Sequence, residues 1–97
     1  MAAYVISEVE VLDPSLADTY RALAQESIAH YGGRYIVRGG TVEAIEGEWP
    51  GHRRVIVVEF PTMERAREWY GSAEYAAALE VRATALTRRL IFVEGIE

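Results

Sequence analysis

Two runs of this sequence, Val55–Val58 and Leu90–Val93, are apolar at every position. Runs this short read as strands, and strand side chains alternate between the two faces of a sheet. Val55 and Val57 therefore share one face while Ile56 and Val58 share the other. Leu90 and Phe92 oppose Ile91 and Val93 in the same way. A sheet built on such strands needs cover on both sides. The chain's own helices can cover one. At 97 residues the chain is a single domain, 1–97, that buries only about 60–65% of its unfolded surface. A second copy, sheet against sheet about a two-fold axis, is expected to cover the other side. That homodimer interface should be apolar and exceed ~1,200 Å² in total.

The remaining elements follow from local signals. Ala3–Leu12 alternates β-branched and polar residues and predicts the first strand. Asp13 suits an N-cap and Pro14 the first helical position, so a helix is predicted from there to about Tyr31. Its apolar stripe is Leu16, Tyr20, Leu23, Ser27, Ile28 and Tyr31, and Gly32-Gly33 ends it. Arg34–Val37 predicts the second strand. Gly39-Gly40 reads as a bulge, after which Thr41–Glu46 is expected to resume the strand. Gly47–His52 is the turn, and Arg53–Phe60 the third strand. Thr62 caps a short helix broken by Gly71, and Ser72 caps an Ala-rich helix from Ala73 to about Ala85. Arg88–Glu94 is the last strand. The order β-α-β-β-α(α)-β predicts an α+β, ferredoxin-like sandwich with a four-stranded antiparallel sheet of order 4-1-3-2.

The string Tyr31–Gly40 (YGGRYIVRGG), followed by Glu46-Gly47 and Trp49, resembles the family known as domain of unknown function 1330. The strand end Arg54–Pro61 (RVIVVEFP) extends the resemblance, as do Trp69-Tyr70 and Ser72-Ala73-Glu74-Tyr75. Ala73 stands where that family usually has Pro. The resemblance covers nearly the whole chain and implies a dimeric α/β barrel. Relatives in that superfamily include cofactor-free monooxygenases, lactone isomerases, haem-degrading enzymes and ligand-sensing domains, among which fold analogy does not choose.

Composition removes several chemistries. Without cysteine there is no disulfide, thiolate metal site or cysteine nucleophile. All ten basic residues are Arg, so lysine Schiff-base catalysis is excluded; the net charge of −5 disfavours a nucleic-acid backbone as partner. No apolar run approaches the ~20 residues of a membrane helix, and no signal peptide is visible. A cytoplasmic location is expected. Two isolated histidines make no metal motif, and no motif calls for a cofactor.

The candidate site residues are His30, Tyr31, Arg38, Arg54 and Tyr70, taken as the polar lining of a small-molecule pocket between helices and sheet. His30 would be the proton acceptor; alternatively it only complements the helix dipole. Arg38 and Arg54 would bind an anionic group bidentately, with Tyr31 or Tyr70 donating to a carbonyl. With a hairpin loop at Glu48–Gly51, Glu43 would lie on the same sheet face as Arg54, and a structural ion pair there is the competing reading. The pocket would take a small anionic or phenolic compound, with or without catalysis. A non-catalytic dimeric association or ligand-sensing module is the alternative.

Overall fold

The computed structural model describes residues 1–96. Strand β1 spans Ala3–Val11 and helix α1 Pro14–His30; β2 is Arg34–Arg38 and β3 Arg54–Phe60. Helices α2 (Met63–Tyr70) and α3 (Ala73–Ala85) precede β4 (Leu86–Glu94). The sheet order is β2-β3-β1-β4, with each pair antiparallel. This is the expected ferredoxin-like α+β topology.

Each helix begins on the cap its sequence announces. The Asp13 carboxylate accepts from the backbone N–H groups of Ser15 (3.1 Å) and Leu16 (3.2 Å). Thr62 Oγ1 accepts from the Arg65 N–H, and Ser72 Oγ from the Tyr75 N–H, both at 3.1 Å. These bonds satisfy N–H groups that have no partner within the helix. Gly33 is required by close approach. A Cβ there would stand 2.6 Å from Phe60 Cε1 and 2.8 Å from Ile28 Cγ2, so only glycine lets the end of α1 pack against β3.

The register sorts side chains cleanly by face. Val5 lies between Val58 and Phe92, Ser7 between Ile56 and Leu90, and Val9 between Arg54 and Arg88. The helices cover this face, where Val5, Ser7, Val9, Val58 and Phe60 are buried. The main core joins them to Ala24, Ile28, Ala66, Trp69, Tyr75 and Ala78. On α1 the buried line is Ala17, Ala24, Ser27 and Ile28, with Tyr20 and Leu23 half-buried. The small alanines let the helix sit close to the sheet and turn the expected stripe by one position. The opposite face carries Ile6, Val55, Val57, Ile91 and Val93 in register, with Ile91 56% exposed.

The stretch 39–53 departs from expectation. Thr41–Glu46 does not resume the strand; it is exposed loop, with Ile45 at 85%. The register shift lies earlier, between Tyr35 and Val37, rather than at Gly39-Gly40. Gly39 instead takes the left-handed conformation at φ 72° and its N–H closes on Val55 O at 3.0 Å, turning the chain off the ladder. Residues beyond it have no strand on their outer side and no core to pack against. Glu43 therefore occupies no sheet face, and the expected Glu43–Arg54 pairing does not form. The last strand also starts two residues earlier than expected, at Leu86.

Candidate functional site

A cavity of about 60 Å³ lies between α1 and the covered face of the sheet, room for a few water molecules or the head group of a small ligand. Its floor is largely apolar: Val5, Val9, Ile56, Val58, Leu86 and Leu90. Its polar wall is Ser7, Tyr20, Arg21, Tyr35, Arg54 and Arg88. Arg21, Gln25, Arg38, Gly39 and Arg54 form a second recess sharing Arg21, Arg54 and Ile56 with the first, and so make its mouth. Neither lining contains an acidic residue, in a chain with 15 of them.

Arg88 closes the inner end. It donates through Nη1 to Tyr20 Oη and through Nη2 to Tyr75 Oη, each at 2.7 Å. The two phenol oxygens are 2.6 Å apart. Among the described residues no carboxylate pairs with this half-buried guanidinium. Burial works against the Arg88 charge, but the two phenol oxygens outweigh it and its pKa lies above the ordinary value. Burial pushes the Tyr75 hydroxyl well above the usual phenol range and that of Tyr35 up to about 12, so both remain neutral.

Local structure places these groups. Ser72 caps α3 and sets Tyr75 three residues on, at its first turn. Tyr75 stacks against Trp69 with ring centroids 4.2 Å apart, and Trp69 Nε1 donates to Ser27 Oγ at 3.0 Å. The β4 alternation Leu86, Arg88, Leu90, Phe92 aims Arg88 inward.

Of the residues expected at the site, Arg54 lines the cavity and Arg38 its mouth. Arg38 donates to Gln25 Oε1 at 3.2 Å and lies over the Tyr35 ring at 4.8 Å. Arg54 makes no side-chain hydrogen bond or ion pair among the described residues. Tyr70 lies behind Arg88, in a recess with Arg82, Leu90 and Phe92. His30 is not on the cavity wall. It lies two residues past the buried Ile28, its side chain 65% exposed and 3.9 Å from Glu74. Tyr31 donates to the same carboxylate at 2.9 Å. That bond raises the Tyr31 pKa, while hydrogen bonds from its own backbone N–H and from Tyr31 lower that of Glu74. His30 and Tyr31 thus belong to a surface cluster apart from the cavity.

Sequence reasoning missed Arg88, Tyr20, Tyr35 and Tyr75. The signal for Arg88 was present: alternation puts it on the same face as Leu90 and Phe92. Tyr20 falls on the apolar stripe of α1 and Tyr75 three residues after the Ser72 cap, but nothing local joins side chains on two different helices. Among the described residues no group of acidic and histidine side chains could hold a metal ion, and no helix is long and apolar enough to cross a membrane.

Solved structures with this architecture are numerous. A protein of unknown function from Rhodopseudomonas palustris superposes with a TM-score of 0.81 at 17% identity, over 99% of this chain and 83% of that one. SnoaB, a cofactor-independent oxygenase from Streptomyces nogalater, gives 0.73 at 10% identity, over 99% and 94%. A dimeric ferredoxin-like protein of unknown function from Thermobifida fusca gives 0.65 at 14%, over 95% and 89%. At these identities the likeness is one of fold. No curated protein matches the sequence. The family model for Domain of unknown function (DUF1330) matches residues 2–96, and the chain belongs to that family.

Proposed function

We propose that this protein binds a small anionic compound, a carboxylate or phenolate, in the cavity between α1 and the sheet. The observation that carries the reading is Arg88, a half-buried guanidinium that meets two phenols and no carboxylate among the described residues. A buried charge without an opposite charge is costly to fold around, and a chain retains one where a ligand supplies the countercharge. Arg21, Arg38 and Arg54 at the mouth draw an anion inward. The oxygenase SnoaB shares the fold, and cofactor-independent chemistry on an anionic or phenolic compound is the catalytic form of the proposal. The cavity wall supplies hydrogen-bond donors and positive charge, which stabilise an oxyanion. The base role expected of His30 is not supported by its place outside the wall.

A second reading concerns assembly and rests on the other face of the sheet. Ile91 and Val93 are exposed there beside Ile6, Val55 and Val57. A cytoplasmic homodimer packed through this face accounts for them, and the Thermobifida fusca relative is dimeric.

Thermal denaturation of the full chain with acetate, benzoate or 4-hydroxybenzoate, and with neutral benzamide as control, tests the binding reading. An anion at a hundredfold excess over its dissociation constant should add about 2.7 kcal/mol of stability. At the same anion concentration Arg54→Ala and Arg88→Met should cut that gain to about 1 kcal/mol or less, and His30→Ala should leave it. Equal stabilisation by benzamide, or none by any anion, would overturn it.

A further inference from the structure

The hydrogens of the tyrosine pair identify which atom meets the ligand. Tyr20 and Tyr75 hold two phenolic protons between them. Their oxygens are 2.6 Å apart, so one proton lies between them. Arg88 donates to both oxygens and can accept nothing. The second phenolic proton therefore has no acceptor among the described residues. Tyr75 is wholly buried and does not line the cavity, whereas Tyr20 does. A spare proton on Tyr75 would be a buried unsatisfied donor, an arrangement folded proteins avoid. A spare proton on Tyr20 projects toward the cavity.

We propose that Tyr75 donates to Tyr20, that Tyr20 turns its own proton into the cavity, and that Tyr20 and Arg88 together bind one oxygen of the ligand as an oxyanion. This rests on the anion-binding reading and narrows it. The inner end of the site presents donors only: the Tyr20 hydroxyl and the Arg88 N–H groups not used by the tyrosines. It accepts no proton from a ligand. A compound with an ionisable hydroxyl, a phenol or an enol, is therefore held in its deprotonated form, and a ligand that must donate at this end is rejected. Tyr75 is a positioning residue: it fixes the Tyr20 hydroxyl rotor without touching the ligand.

The probe is 4-nitrophenol, whose anion and neutral form differ in visible absorbance. With the full chain, binding is followed across the pH range in which the free phenol ionises. The native protein should bind the anion about tenfold or more tightly than the neutral phenol, seen as extra anion absorbance on binding. Tyr20→Phe, which keeps the ring, should reduce that preference about tenfold while Arg88 retains residual binding. Tyr75→Phe should change it by less than about threefold, because Tyr20 keeps its proton and its bond from Arg88. Circular dichroism confirms that both variants are folded. An unchanged preference in Tyr20→Phe would overturn the assignment and leave the anion-binding reading standing. Equal losses in the two variants would overturn it as well. No binding of either form to the native protein, together with no stabilisation by benzoate, would remove the reading beneath it.

Discussion

The two faces of the sheet invert the usual placement of polar and apolar groups. The covered face holds Ser7, Arg54 and Arg88 beside its valines, and the open face holds Ile6, Val55, Val57, Ile91 and Val93. On the open face two ion pairs neutralise part of the charge. Arg34 Nε meets Glu59 Oε1 at 2.8 Å, and Arg89 Nη2 meets Glu8 Oε2 at 2.8 Å. On the covered face the cavity and its mouth are lined by arginines and by no acid. The same four strands therefore present a surface that lacks an apolar partner and an interior that lacks an anion. The two proposals supply the complements: a second apolar sheet outside, an acid inside.

The largest effect should come from loading the open face. Ile91→Glu places a charge at an exposed position, so the monomer fold is unaffected. Burying that charge in a dimer should raise the dimer dissociation constant by about 100-fold or more, measured by sedimentation. Anion binding at the other face should be unchanged. An unaltered dimer would place the interface elsewhere.

Next is Arg88→Met, which keeps the stem volume and removes the charge. Ligand affinity should fall by about 30-fold, the scale of about 2 kcal/mol for truncating a hydrogen-bonded charge pair. Stability should change by less than about 1 kcal/mol, because the lost bonds to the phenols are offset by relief of a buried charge. A large fall in melting temperature would mean that Arg88 serves the core rather than a ligand.

A third variant concerns the core that holds the covered face in place. Ser27→Ala leaves Trp69 Nε1 buried without its acceptor. Urea denaturation should register a loss of about 1–3 kcal/mol.

The smallest effect is electrostatic and lies at the surface. Hydrogen bonds in the folded state hold the Glu74 carboxyl below its ordinary value of 4.5. Its contribution to stability is therefore present above that value and is lost as pH falls through the folded-state pKa. Tyr31→Phe removes the side-chain donor and should flatten this part of the acid profile slightly, measured as melting temperature against pH.

Much of the fold was legible because its signals are local. Asp13-Pro14, Thr62 and Ser72 cap helices through contacts spanning three residues, and strict alternation in β3 and β4 assigned both faces correctly. The stretch Thr41–Glu46 was misread because its alternation has no partner strand; pairing, rather than pattern, decides whether an edge segment is a strand. Arg54 lies on the cavity wall and Arg38 at its mouth because the β2–β3 hairpin sets their places. His30 was misplaced by its nearness in sequence to Ile28: two residues on a helix turn a side chain about 200° away. The Tyr20–Tyr75–Arg88 cluster joins α1, α3 and β4, and only packing brings those elements together.

The central claim is that a ligand's negative charge completes the covered face. Because the chain has no lysine and ten arginines, the Nε–H resonances report all its guanidinium groups in one nuclear magnetic resonance spectrum. Titration with benzoate should move the Arg54 and Arg88 signals saturably while Arg34 and Arg89, already held by Glu59 and Glu8, stay in place. Motion confined to Arg34 and Arg89, or none at Arg54 and Arg88 at saturating benzoate, would contradict the account.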